Sequence, residues 1–339
     1  MAEASRRTSL TPEIVFVDGL SGTGKAALLM AISSMQRVEM SRFEHIYEYV
    51  CALEHLGRIS KDASDVLIRI HIDMAGYNTM ISRSVNFRPG DISSVLNSPK
   101  KSEYFARLFA QEGQDVVGRI AAERPILNIM THQVLGISKP LFRVLGEKMA
   151  IVEIIRDPLQ MVTAWFTYMD RIGKDPLELQ VCIDYKGRDL PYFAAGWEEE
   201  YLALNTMDRS IRSIDHVISL TNAQYESLDD QRRNRVLRVP FEGFVIHPLP
   251  YLEKIEKMLN TKCSEHTTPI LKGQNIPRKV STDILENEVF ERYGYKQLEK
   301  NKNEIDALNQ QWEFVKTHAT SVGIDCMTKL HEQYHDGLR

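Results

Sequence analysis

The stretch EIVFVDGLSGTGKAALLM, residues 13–30, decides the fold class of this chain. IVFV is apolar and mostly β-branched and is bounded by Glu13 and Asp18, which suits a strand buried on both faces of a parallel sheet. Gly19, Gly22 and Gly24 crowd the loop that follows, and AALLMAISSM continues from it as a helix. In that order, strand, Gly-rich loop and helix make an anion cradle. Glycines let backbone N–H groups turn inward, the helix start adds partial positive charge, and Lys25 reaches a terminal anion.

Working outward, PILNIMTH at 125–132, AIVEIIRD at 150–157, HVISLT at 216–221 and RVLRVPF at 235–241 are further short apolar runs with polar ends, each expected to be a strand. PLQMVTAWFTYMDRIG and SKPLFRVLGEK read as helices between them. The expected class is therefore α/β: a central parallel sheet of about five strands with helices on both faces, and a polar helical C-terminal extension over 285–339. Two stretches, 70–122 and 174–200, mix turn formers with aromatics and charges. Long connections of this kind are more often functional than idle, and acceptor-site insertions are expected there.

Composition excludes several classes. With 43% apolar and 26% charged residues the 339-residue chain reads as globular, and a net charge of -4 gives no field for nucleic acid. Any anion site must come from local Lys and Arg. MAEASRRTSLTPE has no apolar h-region, and no stretch is long and apolar enough for a membrane span, so a cytoplasmic protein is expected. Cys51, Cys182, Cys263 and Cys326 show no metal-ligand spacing, and no metal centre is expected.

Four further segments bear on the chemistry. In IVEIIRDPLQMVTAWF, Arg156 leaves the end of a strand before Asp157-Pro158 and a helix, where a guanidinium can grip a phosphate by two parallel hydrogen bonds. In ILNIMTHQV, Thr131-His132 ends a strand at the edge where open α/β sheets place ligands. Downstream come VPFEGFVIHPLPYLEKIEKMLN and the basic ILKGQNIPRK.

Taken in order from about residue 13 to 280, these motifs resemble the PAPS-dependent sulfotransferases: an S-G-T loop, a strand ending in T-H, a strand followed by Arg-[Asp/Asn]-Pro and aromatics, an aromatic-Glu segment, and a late basic loop. The resemblance implies one sulfotransferase-like α/β domain over 1–339 with PAPS as sulfuryl donor. Ser21, Gly22, Thr23, Gly24, Lys25, Ala26 and Ala27 would hold the 5′-phosphosulfate, and Arg156, Thr163, Lys272, Gly273 and Arg278 the 3′-phosphate side. His132 would be the general base and Lys25 would stabilise the leaving phosphate. Glu242 would be architectural. For the acceptor, a carbohydrate or other small hydroxyl or amine compound, Arg83, Arg88, Tyr192 and Trp197 are the candidates. The sequence departs from the family at Leu20, where a Lys or Arg commonly precedes S-G-T, and at Ala164, where a Ser is usual.

Ala26 stands where an ATP-using loop has the Ser or Thr that holds Mg²⁺. A donor that needs no metal accounts for that alanine. The alternatives are a P-loop small-molecule kinase using ATP–Mg, and a non-catalytic nucleotide-binding protein of the same fold.

Overall fold

The computed structural model describes residues 2–10, 12–279 and 304–337. Five parallel strands form the central sheet, β1 (Glu13–Asp18), β2 (Arg42–Phe43), β3 (Ile126–Met130), β4 (Met149–Ile155) and β7 (Val236–Pro240), in the spatial order β2-β3-β1-β4-β7. β1 lies at the centre, with Ile14 opposite Leu127 on one side and Met149 on the other. A separate antiparallel hairpin joins β5 (Cys182–Tyr185) to β6 (Arg188–Pro191).

Alternation along β1 divides the core. Ile14 and Phe16 join the larger apolar cluster with Leu127, Ile129 and Ile151, whereas Val15 and Val17 face Leu28, Val152 and Val239. The first face is covered by α2 (Ile46–His55), α3 (Lys61–Met80), α6 (Lys139–Leu145), α7 (Pro158–Arg171) and α9 (Thr206–Glu226). The second is covered by α1 (Lys25–Ser33), α11 (Phe241–Ile246), α12 (Pro248–Leu259) and α13 (Thr267–Gly273). α4 (Lys101–Arg107), α5 (Gln114–Glu123), α8 (Glu198–Ala203) and α10 (Asp230–Arg233) are short connectors. The chain is thus α/β with helices on both faces of a parallel sheet.

One expected strand is helical. HVISLT lies inside α9, whose buried positions Met207, Ile211, Ile214, Val217 and Thr221 recur every three or four residues. Six residues of the run look the same under either period, and only the longer window shows the helix. The fifth strand is instead the two-residue β2, paired with Ile129 and Met130. Residues 70–80 are likewise helical, as the second half of α3, whose face Ile68, Ile72, Ala75 and Thr79 is buried.

The expected helical extension is present as α14 (Glu304–His318) and α15 (Ser321–Gly337). Residues 285–303 and 338–339 of that extension lie outside the described residues. Val315, Met327 and Leu330 insert into the larger cluster, so these helices belong to the core and pack on α7 and α9. Among the described residues, no helix is long and apolar enough to cross a membrane.

Candidate active site

The loop of residues 19–24 springs from the central strand and is shaped by its glycines. Gly24, at φ 81, caps α1, and a Cβ there would lie 2.3 Å from the Phe241 ring. Thr23 closes the turn, its Oγ1 donating to the Leu20 carbonyl at 2.9 Å. Helix α7 backs the loop from the other side. Trp165 Nε1 donates to Ser21 O at 3.0 Å, and a Cβ on Gly22 would rest 3.5 Å from Ala164 Cβ. A small residue at 164 therefore lets the loop lie close on α7. Ala26 and Ala27 form the first turn of α1.

Lys25 folds back into the loop, its Nζ donating to Gly19 O at 2.6 Å and Leu20 O at 2.9 Å. Burial pushes its pKa down to about 8, against the attraction of Asp18 and Glu48. Because the folded value lies below 10.5, between about 8 and 10.5 the unfolded chain holds a proton that the native state has lost. Stability is then expected to rise with pH across that window, by up to ~1.4 kcal/mol per pH unit from this group. Urea denaturation of wild type and Lys25→Met across that pH range checks it: the variant should lack this rise.

His132 is positioned from both sides. Its neighbour Thr131 donates through Oγ1 to the buried Asp18 carboxylate at 2.9 Å, which also accepts the N–H groups of Val134 at 3.0 Å and Leu135 at 2.8 Å. This pins the segment after β3 to the end of β1. From the other side, Glu48 in the first turn of α2 accepts the His132 backbone N–H at 2.7 Å and sits 3.2 Å from its Nδ1. His45 approaches the other Glu48 oxygen at 3.3 Å, and the two imidazoles stack with ring centroids 6.2 Å apart. Burial would raise the Glu48 carboxyl, but His132 and His45 outweigh it and hold it at about 2. The same hydrogen bond raises His45 above its ordinary value.

A cavity of about 360 Å³ opens on these groups, lined by Ser21, His45, Glu48, His132, Tyr168 and Tyr192 among others. Residues 177–181 of the second long connection complete its wall, and Tyr49 OH donates to Leu179 O at 2.5 Å across it. Ser21 brings the loop to the cavity that holds the Glu48–His132 pair. A neighbouring cavity of about 630 Å³ shares Phe43 and His45 and extends along residues 84–95.

Arg156 leaves β4 as expected and donates through its guanidinium to Gly22 O at 2.9 Å, with Cζ 4.4 Å from the Phe241 ring centroid. Its Nε is buried without a hydrogen-bond partner, 3.8 Å from a Glu242 oxygen. Burial lowers its pKa, with Glu242, Tyr334 and Asp157 opposing. The C-terminal helices close over this corner. Tyr334 OH donates to Glu242, Thr163 Oγ1 donates to Gln311 Oε1 at 2.8 Å, and His331 lies 2.8 Å from Asp157.

Other sequence candidates take varied places. Lys272 and Gly273 are exposed at the end of α13, which is tied to α1 through Ser34 and Thr267 at 2.8 Å. Arg278 is buried and donates to Asn275 O at 3.2 Å and Gln274 O at 3.3 Å, holding its own turn. Arg83 pairs with Glu112 at 2.7 Å on the surface, and Arg88 approaches Asp91 at 3.8 Å. Trp197 packs against Tyr201 and His216 and donates to Phe193 O at 2.7 Å, whereas Tyr192 faces the cavity.

The sequence reading missed His45 and Glu48. Their spacing at a helix start was visible in HIYEYVCALEH, but nothing linked it to a histidine 84 positions after Glu48. Two clusters among the described residues could hold a metal ion: His45, Glu48 and His132, and Asp157, His331 and His335.

No family model matches the chain, and no curated protein matches it. Solved structures of similar shape include a sulfotransferase domain from the curacin biosynthetic pathway, at 10% identity and TM-score 0.42, covering 90% of this chain and 98% of that one. The sulfotransferase domain of the Synechococcus PCC 7002 olefin synthase matches at 11% and TM-score 0.39, covering 92% of this chain and 98% of its own. A sulfotransferase from Mycobacterium tuberculosis H37Rv matches at 12% and TM-score 0.37, covering 83% of this chain and 76% of its own. Likenesses this shallow leave the chemistry to be read from the residues of this chain.

Proposed function

We propose that this protein is a sulfotransferase that moves a sulfuryl group from PAPS to a hydroxyl or amine of a small acceptor. The observation that carries the reading is that the Glu48–His132 pair and Ser21 of the anion loop line one cavity. A base and an anion cradle opening into the same space suit in-line transfer between a phosphate-bound donor and a neighbouring nucleophile. The chain also fits an anionic donor at a second point: the partnerless buried Nε of Arg156 beside the loop is the kind of donor a phosphate oxygen satisfies.

PAPS, when bound, supplies the sulfuryl group and a phosphate leaving group. Loop amides would hold the phosphate end, joined by Lys25 once its Nζ leaves the Gly19 and Leu20 carbonyls, and Arg156 with Thr163 would hold the 3′-phosphate side once Gln311 releases Thr163. Glu48, ionised at neutral pH, can only accept, so the proton of His132 sits on Nδ1 and Nε2 is left as the base. The acceptor gives its proton to Nε2. Lys25 and the start of α1 offset the charge gathering on the leaving phosphate. Tyr49, Tyr168 and Tyr192 offer aromatic walls, and Glu48 and Glu178 make the cavity unfavourable to an anionic acceptor. A neutral or cationic acceptor, such as an uncharged sugar or an amine, fits that lining best. The second long connection, through residues 177–181 and Tyr192, would then be the acceptor-site insertion.

Isothermal calorimetry tests the donor. Adenosine 3′,5′-bisphosphate should bind without added metal with Kd near ~1–10 μM, about -7 to -8 kcal/mol. Tight binding of ATP that requires Mg²⁺, with none of the bisphosphate, would replace this reading with the kinase one. Binding of the bisphosphate with no transfer to any acceptor in a labelled-PAPS screen would leave a nucleotide-binding protein without catalysis.

A further inference from the structure

The last turns of α15 bring two imidazoles to the corner where β4 passes into α7. His331 and His335 are four residues apart, so they stand one above the other on a single helix face. Both point at the same atom: His331 Nδ1 lies 2.8 Å and His335 Nε2 3.3 Å from Asp157 Oδ2. The other Asp157 oxygen is already engaged as the helix cap, accepting the Leu159 N–H at 3.0 Å. The carboxylate is therefore fixed in place by α7, and its remaining oxygen is presented to both rings.

We propose that Asp157, His331 and His335 form a binding site for a first-row divalent ion, Zn²⁺ by its donor set, that fastens the C-terminal helix to the start of α7. Two neutral imidazole nitrogens and a carboxylate oxygen are a common three-residue ligand set, with water in the fourth tetrahedral position. The three donor atoms lie within 4.8 Å of one another. Zinc–ligand bonds of ~2.0–2.2 Å place tetrahedral donors roughly 3.3–3.6 Å apart, so the two imidazole nitrogens can close up while His331 eases back slightly from Asp157. His335 is 46% exposed and can rotate to close that gap, and its exposure leaves a path for the ion and the fourth-position water. His331 is more enclosed, with its ring edge-on to Trp312 at a centroid distance of 5.7 Å, so it supplies a preset ligand. In place of two N–H···O contacts converging on one oxygen, the ion makes direct bonds to all three atoms.

The site is separate from the Glu48–His132 pair, and the inference does not depend on the sulfotransferase reading. It does bear on the same corner: the helix it would fasten also carries Tyr334, which donates to Glu242 beside Arg156. Metal loading would hold that helix down.

The test is a calorimetric titration of the full chain with Zn²⁺, paired with the visible spectrum on adding Co²⁺, in wild type, His335→Ala and His45→Ala. Wild type should bind one tight equivalent and show the intense visible bands of four-coordinate cobalt. His335→Ala should weaken that binding by more than ~100-fold, since even losses outside the ligand shell cost about 10–100-fold. His45→Ala should leave it unchanged. His335 lies at the surface, so its replacement leaves the core intact; His331→Gln provides a second variant and should lose the cobalt bands as well. Unchanged Zn²⁺ affinity in His335→Ala, or loss of the tight equivalent in His45→Ala, overturns the proposal. A Zn²⁺-induced rise in Tm equal in wild type and His335→Ala would do the same, because stabilisation by a ligand follows its affinity for the native state.

Discussion

If the proposed function holds, replacing His132 by alanine is expected to lower the turnover of sulfuryl transfer by about 10²–10⁴-fold, the usual worth of a positioned general base. Nucleotide binding is expected to survive, because His132 touches Glu48 and lines the cavity while the glycine loop is held by its own carbonyls and by α7. The measurement is single-turnover transfer of labelled sulfuryl to the acceptor found by screening, with the bisphosphate titrated in parallel. An unchanged rate with unchanged binding would remove His132 from the reaction. Glu48→Gln separates base from support: it should lower kcat with little change in KM, because it loosens the tautomer that leaves Nε2 as acceptor and touches no leaving group.

The second large effect is on the fold itself. Gly19→Ala is expected to cost about 2–6 kcal/mol, from backbone strain of ~1–3 kcal/mol together with ~1–3 kcal/mol of overpacking. Gly19 sits at φ +136, where side chains are rarely tolerated, and a Cβ there would stand 2.4 Å from the Ile154 carbonyl oxygen. That oxygen belongs to the adjacent strand of the sheet and cannot move without breaking the β1–β4 ladder. The loop therefore starts with its backbone against a strand, a closeness that only hydrogen at Cα permits. Urea denaturation reads the loss directly. A cost below ~1 kcal/mol would mean that the turn relaxes where the sheet is described as rigid.

Much of the fold could be read from the residues. Strands β1, β3, β4 and β7 fall in the runs that patterning selected, because each is mostly apolar and the first three are buried almost throughout, while Asn128, Glu153 and Arg238 interrupt the runs without masking them. β2 could not be read, since two residues at a sheet edge carry no periodicity. HVISLT misled for the reverse reason: it is the apolar part of a long amphipathic helix, cut from its context.

The loop of the candidate site was legible because its glycines encode a backbone shape, and Arg156 because Pro158 marks the passage from strand to helix. Glu48 was not legible, since its role depends on α2 packing beside β3, a long-range contact with no local signature. The contacts of Tyr334, Gln311 and His331 with Glu242, Thr163 and Asp157 were equally hidden. Polar helices at that distance along the chain read only as solvated surface.

That closure also sets an order of events during synthesis. Every strand of the sheet, the glycine loop and Arg156 precede residue 304, so a chain emerging residue by residue completes them before α14 and α15 exist. In that interval Glu242, Thr163 and Asp157 lack the partners that Tyr334, Gln311 and His331 give them in the finished molecule. On the proposed function, refolding in the presence of adenosine 3′,5′-bisphosphate is expected to load the site faster than adding it to the finished molecule, because Thr163 is then not yet held by Gln311.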